Sequence, residues 1–154
     1  MSSKLDTSVR TAQAGVLAWV LPGLGHYWLG HRGLASVFFV AITFPYWTGI
    51  AFGGVLTSVN PKTNPWLFVA EAGIGSYTGV CLGLSASIGP VANEDLPRFA
   101  SFYPASEVAQ IYLAVAGLLN LLAIFDAIMR AQTNGLPVFH HEVAQRQAAR
   151  EGPA

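Results

Sequence analysis

Four polar side chains stand inside otherwise apolar sequence, and these are the places where chemistry could be done: Glu71, Asn120, Asp126 and Arg130. Polar groups at membrane depth are costly, so each one needs a partner or a purpose. Asp126 and Arg130 are four residues apart, which on a helix puts them on one face as a local ion pair. Glu71 has two ordinary ways out: extending toward Lys62, or pairing with Arg130 on a neighbouring helix. Asn120 lies in the middle of its apolar run, where an amide usually bonds across to another helix. Read together instead, Glu71, Asn120 and Asp126 would form a polar track for a proton or a small cation.

Other chemistries find little footing. His26 and His31 are five residues apart, about 140° around a helix, and no acid or cysteine is close to them in sequence, so they are not expected to hold a metal. His140 and His141 are adjacent in a polar tail and weaker still. The single cysteine, Cys81, sits between Val80 and Leu82, which rules out an internal disulfide and any multi-cysteine centre. No nucleophile elbow, Ser/His/Asp set, phosphate loop or dinucleotide fingerprint occurs, despite sixteen glycines. The expectation is a protein that is not an enzyme and holds no cofactor or metal. The formal net charge is zero and the aromatic residues are not interleaved with a basic patch, which sets nucleic acid aside as a partner.

The elements that must position these residues follow from composition. Of 154 residues, 53% are hydrophobic and 10% charged, where a soluble domain carries about 25% charged residues. The excess apolar surface must meet a lipid bilayer. Four runs come close to the length of about 20 residues that crosses a hydrocarbon core: about 12–29, 34–57, 66–88 and 108–129. None shows the alternation of a membrane β-strand. The predicted fold is therefore all-α: a bundle of four transmembrane helices over residues 12–132, an N-tail over 1–11 and a polar C-terminal tail over 133–154. Two Asn-Pro pairs between Ser58 and Pro65 mark a loop, Ser106 is a candidate N-cap, and the Asn-Gly and Pro of Thr133–Pro137 end the last helix. Glu142 and Arg146 have i,i+4 spacing in the tail.

The stretch LPGLGHYWLGHRG, Leu21 to Gly33, joins the first two runs. Pro22 lacks an N–H and crowds the Ala18 carbonyl, so the first helix should kink there. Gly23 and Gly25 allow close helix approach, Tyr27 and Trp28 suit the headgroup layer, and Gly30, His31, Arg32 and Gly33 form a tight turn. So short a link predicts that the first two helices are antiparallel neighbours. With four spans and a cytoplasmic N-terminus, six basic residues (Lys4, Arg10, Lys62, Arg130, Arg146, Arg150) face the cytoplasm against two outside (Arg32, Arg98), so both termini should be cytoplasmic. A rival reading takes Lys4, Arg10 and the Gly23/Gly25 pair as a cleavable signal peptide; Pro22 and the apolar residues resuming at Tyr27 speak against it.

Through Gly25, His26, Tyr27, Leu29, Gly30, Arg32 and Gly33, this stretch resembles the conserved hairpin of the two-transmembrane-helix domain family over Ala14 to about Phe44. It departs by placing Pro22 before the glycines, Tyr27-Trp28 where that family usually has Phe-Tyr, and two further spans behind. The whole arrangement, closed by Ala114–Gln132, is similar to an uncharacterised bacterial family of four-span proteins found in planctomycetes. That resemblance implies a bacterial inner membrane and supplies no activity.

Glu71, Gly75, Gly79 and Gly83 recur every four residues and predict a narrow packing face on the third helix, toward Ala116, Asn120 and Ile124 or toward a second copy. Glu71 would lie at the end of that contact. The aromatic loop Leu96–Pro104 would rest on the outer interface. Two functions are compatible with these residues. One is a non-enzymatic membrane protein that packs with itself or with a membrane protein partner. The other is a small oligomeric transporter or proton/cation conductor using Glu71, Asn120 and Asp126.

Overall fold

The computed structural model describes residues 2–59, 65–88 and 105–133, together with Gln145 and Ala149. Among them every regular element is an α-helix and there is no strand. In chain order these are α1 (Ser2–Val20), α2 (Leu24–Trp28), α3 (Arg32–Gly53), α4 (Val55–Ser58), α5 (Pro65–Glu71), α6 (Gly75–Ile88) and α7 (Ala105–Gln132). The loop Leu96–Pro104, Lys62, His140, His141, Glu142 and Arg146 fall outside the described residues.

Among the described residues, two helices are long and apolar enough to cross a membrane, within Arg32–Gly53 and Glu107–Gln132. They are the second and fourth predicted runs. The first and third runs are not continuous helices. The expected kink at Pro22 is a full stop: Leu21 N–H still bonds to the Leu17 carbonyl, Pro22 has no N–H to continue the ladder, and Gly23 turns the chain at a positive φ of 82°. The residues read as an N-tail belong to α1, which begins at Ser2. The third run is interrupted at Ala72–Ile74, between α5 and α6. Pro65 opens α5 at its first position, where a missing N–H costs nothing.

α7 is the spine. Asn120 reaches the Ala18 carbonyl, Gly15 faces Ile128, and Thr7 and Thr11 share a groove with Gln132, so α1 runs antiparallel to α7. Gly49 faces Leu113 and Gly53 faces Ala109, so α3 runs antiparallel to α7 as well. α1 and α3 therefore point the same way, and α1 packs along α7; the expected antiparallel pair of first neighbours is corrected. The reason is α2, which folds back along the second half of α1 before the chain turns into α3. Gly25 lies against Ala14, Ala18 and Ala127, and Trp28 reaches Ala12 and Gln13.

The second half repeats this manoeuvre from the other end. α5 leads inward until Ala70 and Glu71 touch Gly117 on α7. After the interruption α6 returns: Thr78 meets Tyr46, and Cys81 joins a core with Tyr46, Val59, Ile74 and Leu113. The helical hairpin α1–α2 thus approaches from one end of α7 and the broken pair α5–α6, which turns back without its two helices packing on each other, from the other, and the two turns meet near the middle of α7. The buried side chains along α1 and α7 are mostly alanines (among them Ala14, Ala18, Ala123, Ala127 and Ala131), which lets backbones approach closely. Large apolar side chains point outward, among them Phe44, Phe52, Leu122 and Phe125.

Candidate functional site

The meeting point of the hairpin tips is where the sequence-predicted polar residues concentrate. Asn120 is fully buried and its Nδ2 donates twice, to the Ala18 carbonyl at 3.1 Å and to the Gly73 carbonyl at 2.8 Å. Ala18 is the residue whose carbonyl Pro22 cannot serve. Gly73 lies in the interruption of the second hairpin. One amide thus supplies donors to a freed carbonyl in each hairpin. The indole Nε1 of Trp19 donates to the Ala72 carbonyl at 3.0 Å, and Thr78 Oγ1 donates to the Glu71 carbonyl at 2.7 Å. In an apolar surrounding, backbone groups released from a helix must be satisfied by such neighbours.

Glu71, the last residue of α5, is 1% exposed. Its Oε2 is buried without a hydrogen-bond partner. The groups around it are neutral: the Tyr46 hydroxyl, 3.3 Å from Thr78 Oγ1, and the Cys81 thiol, both within electrostatic reach of the carboxyl. Asn120 Oδ1 and Ser76 Oγ are further buried oxygens with no partner.

Asp126 and Arg130 belong to a second cluster. Arg130 Nε donates to Asp126 Oδ2 at 2.6 Å, and His26 Nε2 lies 2.8 Å from the same oxygen. The His26 ring is buried and stacks on Phe38 with centroids 4.6 Å apart, while its backbone carbonyl accepts from the His31 N–H at 2.9 Å. The reading that left His26 without a nearby acid is corrected: the acid is a hundred positions away in sequence and in contact in space. His26 Nδ1 and His31 Nε2 have no partner, and no group of three or more metal-ligating side chains occurs among the described residues. At the turn, the Arg32 guanidinium lies 5.7 Å from the Tyr27 ring centre. Replacing Asp126 by alanine is expected to loosen α2 from α7 and cost about 2 kcal/mol, because it leaves a buried imidazole nitrogen and a cation unpaired. Thermal unfolding in detergent checks this, with Asp126→Asn, which keeps an acceptor, recovering part of the loss.

The two clusters are separate. Glu71 meets α7 at Gly117, nine residues from Asp126, or about 13 Å at 1.5 Å per residue. Arg130 is engaged by Asp126, so the expected Glu71–Arg130 pair is not formed, and the track through Glu71, Asn120 and Asp126 is not continuous. The glycine face of the third run is also reordered. Gly75 meets the Trp19 ring, but Gly79 and Gly83 have nothing within 4 Å and face outward. The interruption changes the helical phase after Glu71, so the tight backbone contact falls on Gly73 and Gly117 instead. The Gly73-Ile74-Gly75 sequence carried the signal for that interruption, two helix-weakening glycines two apart. Nothing local could have paired His26 with Asp126.

The sequence pattern of a family of unknown function (DUF6677) matches residues 13–136, from the middle of α1 to beyond the end of α7. Comparison with curated proteins and with solved structures gives no match.

Proposed function

The chain belongs to this family of unknown function, and from the geometry of its own residues we propose that it is a non-enzymatic integral membrane protein in which α3 and α7 cross the bilayer while two helical hairpins enter halfway from opposite faces. The observation that carries this is the outward apolar surface of α3 and α7. Only 22% and 39% of their most apolar windows are buried within the chain, whereas a core helix of a soluble protein is mostly covered. α3 is about 33 Å long, enough for the hydrocarbon core. α1–α2 and α5–α6 enter and leave on one side each, with their released carbonyls covered by protein, the condition under which irregular backbone is tolerated at depth.

Arg10, Arg32 and Arg130 gather at one end of the molecule, the end of α7 where α1 begins. The basic-residue rule makes that end cytoplasmic, here the cytoplasmic face of a bacterial inner membrane. Labelling single cysteines with a membrane-impermeant thiol reagent, in a Cys81→Ala background, tests the arrangement. Val9→Cys and Gly33→Cys are expected to react from the same side and Ala105→Cys from the other. Gly33 labelled together with Ala105 would restore four full crossings and overturn the first hairpin.

Association is the role this frame fits best. The outward face of α6 shows Gly79 and Gly83 with open space above them, and a glycine pair four apart can meet the same pair of a second copy in a two-fold contact. A second reading has one specific observation behind it: helical interruptions paired from opposite faces, next to the unpartnered Glu71 carboxyl, are the arrangement that transporters use to hold ions at mid-depth. In that reading an oligomer carries a proton or small cation past Glu71 and Asn120.

A further inference from the structure

Glu71 does more than fill space at the tip of the second hairpin. Its carboxyl is buried in a place where a lasting negative charge would have no compensation. From α3 the titratable group facing it is Tyr46 and from α6 it is Cys81. α7 presents the Gly117 backbone, and α1 contributes the Trp19 indole at the neighbouring Ala72 carbonyl. The Arg130 cation and the His26 ring are held by Asp126, about 13 Å along α7 from Gly117. An unpaired carboxyl in such surroundings takes up a proton rather than remain charged.

A row of hydroxyls lies beside it. Thr78 Oγ1 bonds the Glu71 carbonyl and stands 3.3 Å from the Tyr46 hydroxyl. The next pair along the same α3–α6 seam is Thr43 Oγ1 and Tyr77 OH, 2.9 Å apart, with the Tyr46 and Tyr77 rings in contact at 5.4 Å. Thr43 and Tyr77 are only half-buried. Four hydroxyls therefore stand in two pairs along one seam beside the buried tip, in a wall that is otherwise apolar.

We propose that Glu71 is a proton-exchange site served by the hydroxyl seam of Thr43, Tyr77, Tyr46 and Thr78, a proposal that rests on the second reading above and names its ligand as the proton. The carboxyl releases and retakes one proton; no other bond changes. The test uses the full chain reconstituted in phosphatidylcholine–phosphatidylglycerol vesicles and a hydrophobic carbodiimide, which adds to protonated carboxyls in apolar surroundings. Peptide mapping of the unaltered protein should place one adduct on Glu71 at about pH 6. Its rate should fall about tenfold or more by about pH 10 as the carboxyl ionises. Glu71→Gln should carry no adduct in that peptide. Tyr46→Phe with Thr78→Val should slow the response to a pH jump several-fold while leaving the final extent of labelling unchanged. No adduct on Glu71, or labelling unchanged to about pH 10, overturns the proposal, the second case because a permanently neutral acid exchanges nothing. Proton flux across the same vesicles separates the two levels. Flux without labelling removes Glu71 as the site and keeps the conducting reading, and pH-dependent labelling without flux keeps the site and removes conduction.

Discussion

Asn120→Leu is expected to cost the folded chain about 1–4 kcal/mol, read as a lowered midpoint of thermal or detergent-induced unfolding. The amide supplies donors to two carbonyls, at Ala18 and Gly73, and a buried acceptor left without its donor costs about 1–3 kcal/mol. Interhelical hydrogen bonds in bilayers measure lower, about 0.6 kcal/mol on average, which sets the lower end, and leucine's apolar bulk returns part of the loss. Asn120→Asp preserves the size and, protonated in this buried place, can donate to only one of the two carbonyls, so it should recover part of the loss seen with leucine. Pro22→Ala gives the Ala18 carbonyl a potential donor within its own chain. In the Asn120→Leu background it should recover up to half of the deficit, although it also relaxes a turn that Pro22 fixes. An Asn120→Leu protein within about 0.5 kcal/mol of the parent would show that the two hairpins do not depend on this amide.

Gly117→Ala is the other change with a large expected effect. A Cβ at Gly117 would overlap the Ala70 carbonyl oxygen and press on the Glu71 backbone, and backbone atoms cannot swing aside as a flexible side chain does. Overpacking in a dense interior costs about 1–3 kcal/mol where side chains can adjust; with backbone on both sides the expected loss is at the top of that range or above it. The whole second hairpin should then lift from α7, exposing the Ala72–Ile74 peptides to proteolysis in detergent. Gly79→Ala and Gly83→Ala, which meet nothing within 4 Å, should leave the same measurement unchanged. Equal losses at all three positions would mean that the close approach at Gly117 is not what seats the hairpin.

The helical class and the two helices long and apolar enough to cross a membrane could be read from the apolar runs without alternation, because a chain destined for hydrocarbon must satisfy its backbone locally. Reversals were harder. Pro22 and Gly23 announce a disturbance, yet a kink and a full turn have the same residues; what selects the turn is the close packing of Gly25 on Ala14 and Ala18, a contact that depends on tertiary structure. The third run reads as continuous because its apolar character persists throughout, and Glu71, Gly75, Gly79 and Gly83 look like one packing stripe until the chain is broken between Glu71 and Gly75. Asp126 with Arg130 was visible because i,i+4 spacing is local. His26 with Asp126, and Asn120 with Ala18, join residues about a hundred positions apart, and no periodicity encodes such pairs.

That distance has a consequence for how the protein is made. The first hairpin leaves the ribosome long before Asn120 and Asp126 exist, so during synthesis the Ala18 carbonyl and the His26 ring must wait for α7. α1–α2 therefore cannot be seated as an independent unit. In the proposed membrane arrangement it would dwell at the bilayer surface, held by Tyr27 and Trp28, until the last helix arrives, and a chain truncated before residue 120 would leave its earliest-made segment stranded.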